Sequence, residues 1–229
     1  EIYTLSLHDA LPIWFSVATT RPETMLGDVA IAVNPTDERY KHLIGTKAHL
    51  PIVDREIPII ADDYVDKNYG TGAVKITPAH DPNDFEIGKR HNLKPIQVIG
   101  FDGTMINVPQ HYMGLDIETA RKRVLTDLEI EELRRGESEI EHTVGYDYKS
   151  GLPIQPMIKD QWFIKVKPLA KRAIEILERG EINFTPEHKR SVLIEYLKNL
   201  RDWNISRQIP WGIPIPLNQI GRASCRERV

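Results

Sequence analysis

A chain of 229 residues is long enough for one large domain or two small ones. Hydrophobic residues make up 41% of it, and no apolar run is long enough to span a membrane as a helix. A net charge of -3 argues against a generally basic nucleic-acid binder, while leaving room for a local basic groove.

Both ends are unlike the rest of the chain. The first 13 residues, Glu1 to Ile13, resemble a translated sequencing-library adapter, and the tail from about Gln219 to Val229 resembles the translation of its reverse complement. Residues 1–13 and 219–229 are therefore set aside, as one sets aside targeting or processing segments. This removes the one cysteine, Cys225, and the His8–Asp9 pair from any site. The net charge is unaffected, because Glu1 and Asp9 in the head offset Arg222, Arg226, Arg228 and Glu227 in the tail. Residues 14–218 then read as an internal fragment of a longer gene.

Trp14 to Ala18 predicts a strand, and Val29 to Val33 a buried strand closed by Asn34-Pro35. Asp37 to Ile44 predicts a short helical segment. Lys47–Val53 and Glu56–Ala61 predict two strands joined by a turn at Asp54-Arg55. Ala73 to Thr77 predicts a strand, the residues from Asp81 to Asn92 a helix, and Pro95 to Ile99 a further strand. Many short strands with few helices suggest a small β-barrel-like body with helices outside it. Asp116 to Arg135 predicts the first long helix, with Ile117, Ala120, Val124 and Leu128 on its buried stripe and a solvated face opposite. The acidic run Glu137–Glu141 reads as a linker.

Residues beyond 145 differ in character. Pro153–Met157 and Gln161–Val166 look like a two-stranded ribbon. Pro168–Arg179 predicts an amphipathic helix burying Leu169, Ala173, Ile174 and Leu177. Glu187–Arg201 predicts another, burying Val192, Leu193, Tyr196, Leu197 and Leu200. No internal repeat is evident.

The chemistry gathers between Gly70 and Asp84. Gly70 and Gly72 suit a tight turn. On the strand that follows, Lys75 and Thr77 share one face. Pro78 stops the strand, and Asp81-Pro82-Asn83-Asp84 opens a helix, with Asp81 at the N-cap and Pro82 at the first position. Capping alone accounts for both aspartates and the proline. It does not account for Lys75, Thr77 and His80 arriving at the same end. A carboxylate held ionised at a helix N-terminus is also suited to gripping a substrate ammonium.

A second stretch, Ala18 to Asp28, ends a short strand with hydroxyls, Arg21 and a proline turn. Together the two stretches resemble the editing domain of the valyl-tRNA synthetases. The motifs that carry the resemblance are Thr-Thr-Arg-Pro-Glu-Thr at Thr19–Thr24 and Lys-Ile-Thr-Pro-Ala-His-Asp-x-x-Asp at Lys75–Asp84. Asp202 to Gly212 resembles the segment in which such enzymes re-enter their catalytic half. The resemblance implies a mixed α/β fold: a β-barrel-like editing domain at 14–145, N-terminally truncated, with peripheral helices. A β-ribbon and helical segment at 146–218 then leads into a Rossmann-type catalytic half.

The implied local reaction is hydrolysis of threonine wrongly esterified to tRNA(Val). That a hydrophobic pocket rejects the hydroxyl isostere by only about 10² is the known case of these same enzymes against threonine, so a second site must edit. Polar groups on a pocket floor exclude valine, which would leave them desolvated and unpaired. The resemblance implies that Asp84 holds the α-ammonium, and that Asp81 and Lys75 serve the threonine hydroxyl or the attacking water. Arg21, Thr24 and Thr77 would position the ester or the terminal adenosine. The expected partner is the tRNA(Val) acceptor end carrying threonine; no protein partner is inferable. Editing would need no cofactor. ATP and Mg belong to aminoacylation by the parent enzyme, whose His-Ile-Gly-His and Lys-Met-Ser-Lys-Ser motifs are absent from this chain. The implied location is the cytoplasm.

No Ser-His-Asp arrangement is visible, but an aminoacyl ester is labile, so orienting a water may be all that is required of the site. Asp81, Lys75 or the substrate's own vicinal hydroxyl are each open as the activator. Two rivals stand beside this reading. One is a non-catalytic module that binds the tRNA acceptor end. The other is a metal-dependent hydrolase built on His80, Asp81, Asp84 and His91, whose spacing matches no strong metal signature. Trp162, Trp203 and Trp211 read as core residues rather than base-stacking platforms.

Overall fold

A computed structural model of the chain describes residues 2–9, 14–141, 143–207 and 212–215. Cys225 and the rest of the adapter-like tail, together with His142 and Trp211, lie outside the described residues. The chain divides into two units, Glu1–Ile158 and Lys159–Val229.

The first unit is built on seven strands: β1 (Ile2–Asp9), β2 (Trp14–Thr19), β3 (Ala30–Val33), β4 (Lys47–Leu50), β5 (Arg55–Ala61), β6 (Ala73–Ile76) and β7 (Arg134–Ser138). They hydrogen-bond in the order β2-β1-β4-β5-β3-β6, with β7 also on β1. Only β3 and β5 run parallel; the other pairs are antiparallel. The two ends of this order, β2 and β6, pack against each other, so the sheet curls toward a barrel. Every residue of β3 is buried, which is why its sequence is continuously apolar rather than alternating.

Two helices cover the sheet. Helix α1 (Pro82–Arg90) follows β6 directly, and α2 (Ile117–Ile130) presents Ala120, Val124 and Leu128 to the core with none of them exposed. The N-cap of α2 is Asp116, whose side chain accepts from Thr119 N at 2.9 Å.

The turn between β5 and β6 needs its glycines. Gly70 and Gly72 have φ of 58° and 76°, and a Cβ on Gly72 would lie 3.1 Å from the Lys67 carbonyl oxygen. Asp37 and Arg39 clamp the same turn, Arg39 Nη2 donating to Asp37 at 2.6 Å and to Lys67 O at 2.6 Å. We expect Gly72→Ala to cost about 1–3 kcal/mol, read as a lowered denaturant midpoint with an unchanged slope.

Several sequence expectations are corrected. The adapter-like head, set aside above, forms β1, which pairs with β2, β4 and β7. An eight-residue run rich in β-formers meets the unpaired backbone groups of β2, and that is sufficient for pairing. The long helix stops at Ile130 rather than Arg135, because Glu132 enters the left-handed region at φ 58° and the chain turns into β7. Residues 137 and 138 of the expected acidic linker belong to that strand. Pro95–Ile99 makes only an isolated bridge, Ile99 to Met105, because Pro95 lacks an N–H and the side chains of His80 and Asn107 take other backbone groups of the run. Asp37–Ile44 holds turns and one short 3-10 segment, Lys41–Leu43.

In the second unit, β8 (Phe163–Ile164) pairs with β9 (Trp203–Asn204), not with Pro153–Met157. The latter segment lies in the first unit, where Pro153 forms an isolated bridge with Tyr146. Helices α3 (Lys167–Glu178) and α4 (Lys189–Lys198) form as expected, but bury less than their patterns suggest. Ala170 and Leu177 are buried on α3, while Leu169, Val192 and Tyr196 are exposed. Among the described residues of this unit there is no parallel sheet.

Candidate active site

One cavity of about 360 Å³ in the first unit opens where β2, β6 and the start of α1 converge. Its lining includes Arg21, Thr24, Lys75, Thr77, Asp81 and Asp84, all six residues that the sequence singles out. Thr24 belongs to a buried 3-10 turn, Pro22–Gly27, which follows β2 directly. Proline at its first position presets the turn, and Thr24 locks it by donating its hydroxyl to Arg21 O at 2.9 Å.

Lys75 is the hub of the buried end. Its ammonium donates to Thr24 Oγ1 at 3.0 Å, Asp28 Oδ1 at 3.0 Å and Thr77 Oγ1 at 2.7 Å. The Thr77 hydroxyl in turn donates to Asp28 Oδ1. Asp28 is fully buried. Burial pushes its carboxyl above the usual range, and the Lys75 ammonium opposes that shift. The pair satisfies the rule that a buried charge is kept only beside a partner.

Helix α1 brings two carboxylates to the rim. Asp81 caps it, Oδ1 accepting from Asn83 N at 2.7 Å and Asp84 N at 3.1 Å. Asp84, in the first turn, reaches back to accept from Thr77 N at 2.8 Å. Burial raises the Asp84 carboxyl to about 6, against the lowering effect of the Thr77 N–H and Lys75. It is therefore ionised at neutral pH and close to its titration point just below.

Arg21 closes the other side. It donates to His80 O at 2.9 Å and to the Gln155 side chain, and its Nε lies 3.4 Å from Glu23. Glu23 is completely buried and also pairs with Arg121 at 2.9 Å. His80 is a structural anchor: Nε2 accepts from Val98 N at 2.9 Å, which leaves the ring proton on Nδ1. Burial, and next the nearby Arg21, lower His80 to about 4, so it stays neutral. Among the described residues no three His, Cys, Asp or Glu side chains gather as a metal site, and no helix is long and apolar enough to cross a membrane.

A family model described as tRNA synthetases class I (I, L, M and V) matches residues 12–224. The chain belongs to that family. It is 52% identical over 204 residues to the valine--tRNA ligase of Petrotoga mobilis. Over the same length it is 54% identical to that of Geobacillus stearothermophilus. Each match covers 89% of this chain but 23% of the relative, so this class I synthetase chain spans under a quarter of the length of the curated relatives it matches. A solved structure described as the crystal structure of GlLeuRS-CP1 superposes with a TM-score of 0.51 at 14% identity, covering 63% of this chain and all of that one. At that identity the likeness shows the fold alone.

Sequence reasoning on this class I synthetase chain missed Asp28, Glu23 and Gln155 as supports of the site. Asp28 did leave a signal: it is a carboxylate placed directly before the uninterrupted apolar run Val29–Val33. Such a residue enters the interior with the strand and needs a cation there. Tyr64 and Tyr69, half or more exposed at the mouth of the cavity, left none.

Proposed function

We propose that this chain carries the hydrolytic proofreading site of a valine-specific class I synthetase, and that it cleaves threonine from mischarged tRNA(Val). The observation that carries the reading is the convergence of Arg21, Thr24, Lys75, Thr77, Asp81 and Asp84 on one cavity. In this reading Asp84 holds the α-ammonium of the aminoacyl ester. Arg21, whose guanidinium has N–H groups beyond those given to His80, Gln155 and Glu23, orients the ester or the terminal ribose. A water at the rim, ordered by Asp81 or by the substrate's vicinal hydroxyl, attacks the carbonyl carbon. The ester C–O bond breaks, and the ribose oxygen leaves with a proton, giving free threonine and uncharged tRNA.

Lys75 acts here as a positioning residue, because its three N–H groups are committed to Thr24, Asp28 and Thr77. Editing as proposed needs no metal or cofactor. The parent enzyme would join valine to tRNA(Val) using ATP and Mg. This chain contains neither His-Ile-Gly-His nor Lys-Met-Ser-Lys-Ser, so its residues do not fit ATP.

Incubated with threonyl-tRNA(Val), the chain is expected to release threonine at the same rate with and without a chelator. Arg21→Ala should slow release by about 10- to 100-fold through one or two lost hydrogen bonds to the ester. Release abolished by chelator would point to a metal-dependent hydrolase. Tight tRNA binding with no release would point to a binding module.

A further inference from the structure

Glu23 is a buried charged group that the proposed hydrolysis leaves unused. Its side chain is completely buried and does not line the cavity, although it follows Arg21 by two residues. A carboxylate is costly to bury unless it is paired, and Glu23 is paired twice. Arg121 of α2 grips both of its oxygens, Nε donating to Oε2 at 2.9 Å and Nη2 to Oε1 at 3.2 Å. From the other side, Arg21 Nε lies 3.4 Å from Oε1. One carboxylate therefore stands between two guanidiniums that would otherwise repel each other.

A guanidinium is a rigid plane with five N–H groups in fixed directions. In Arg21, Nη1 donates to His80 O at 2.9 Å, Nη2 donates to the Gln155 side chain, and Nε faces Glu23. Each terminal nitrogen keeps one further N–H for a ligand in the cavity that Arg21 lines. Because the group is planar, fixing its Nε side also fixes the direction of those two N–H groups. Of the three contacts only Glu23 is an anion, so it holds the plane most strongly.

We infer that Glu23 is a positioning residue for ester hydrolysis: shared between Arg121 and Arg21, it aims the two remaining N–H groups of Arg21 at the substrate. The inference rests on the proofreading reading above. It adds α2 to the machinery through Arg121, which lies 98 residues along the chain from Glu23. A glutamine at this position has the same size, but one acceptor oxygen and one NH₂ group. In either orientation it sets N–H donors against a guanidinium, and the charge that attracts Arg21 is gone.

The test is single-turnover release of threonine from threonyl-tRNA(Val) over a range of chain concentrations. It compares the unmodified chain, Glu23→Gln, Arg21→Ala and the double variant. Glu23→Gln should lower the rate at saturation by about 5- to 20-fold and leave the half-saturating concentration within about twofold, since Arg21 stays in the cavity and only its aim changes. In the Arg21→Ala chain the same change should cost less than about twofold, because no guanidinium remains to be aimed. A merely structural role would lower both backgrounds by the same factor. That result, or full activity in Glu23→Gln, overturns the inference and leaves the proofreading reading standing. If Glu23→Gln does not fold, Arg121→Gln takes its place, removing the part-exposed partner instead. It should slow release at least about threefold where Arg21 is present and not where it is absent; equal loss in both backgrounds, or none, overturns the inference. If the folded, unmodified chain releases no threonine, the inference and the proofreading reading both fall.

Discussion

Asp84→Asn is expected to abolish deacylation while leaving the fold as stable as before or more so. The carboxylate is nine-tenths buried, and burial holds its pKa near 6. Ionised, it is strained relative to the unfolded chain by about 3 kcal/mol, the equivalent of a shift from the ordinary value to about 6. The sign follows from proton counting. Between about pH 4 and pH 6 the folded state binds more protons than the unfolded one, so this group's contribution to stability falls as pH rises through that window. Asparagine removes the charge yet keeps an oxygen to accept from Thr77 N. The variant should therefore match the unmodified chain near pH 4 and melt at a higher temperature above pH 6. Its activity should be lower by about 10² or more, the cost of losing a charge-assisted bond to the substrate ammonium. In the unmodified chain, deacylation should rise with pH through about 6 as Asp84 ionises. Full activity in Asp84→Asn would contradict the assignment.

Lys75→Met should be the most destabilising single change at the site, by about 3–5 kcal/mol, because it strands the fully buried Asp28 carboxylate. Without the ammonium, the Asp28 pKa climbs further. The penalty is then smallest at low pH, where Asp28 is protonated, and grows as pH rises. Adding Asp28→Asn to Lys75→Met should recover more than half of the loss, since the second change removes the uncompensated charge. A double-mutant cycle in chemical denaturation reads this coupling directly. Additive losses would mean that the pair is not the hub described above.

The parts of the site legible in the sequence are those set by neighbours in the chain. Asp81, Pro82 and Asp84 announce a helix N-terminus by type and spacing, and Asp81 accepts from Asn83 N and Asp84 N as a cap does. Lys75 and Thr77 follow from the two-residue period of a strand. Asp28, Glu23 and Gln155 are different, because their partners lie 47, 98 and 134 residues away. No local pattern encodes such meetings. The fold shows the same division. The β3 and α2 stripes are readable as apolar runs of the right period, whereas β7 exists through pairing with β1, and its own sequence, Arg-Arg-Gly-Glu-Ser, has no strand signature. In the second unit, helix existence is legible from period and Gly180, but burial is not, because a periodic pattern names a face without saying that anything covers it.

The most direct test compares rates of aminoacyl-ester cleavage on one tRNA. Threonyl-tRNA(Val) and valyl-tRNA(Val) are presented separately to the chain under single-turnover conditions, and release of each amino acid is followed against the spontaneous rate. The account predicts rapid release of threonine, and valine release at or near the spontaneous rate, because valine desolvates the polar cavity lining without supplying the hydrogen bond that the threonine hydroxyl supplies. Equal acceleration of both esters would contradict it, and so would acceleration of neither by folded protein.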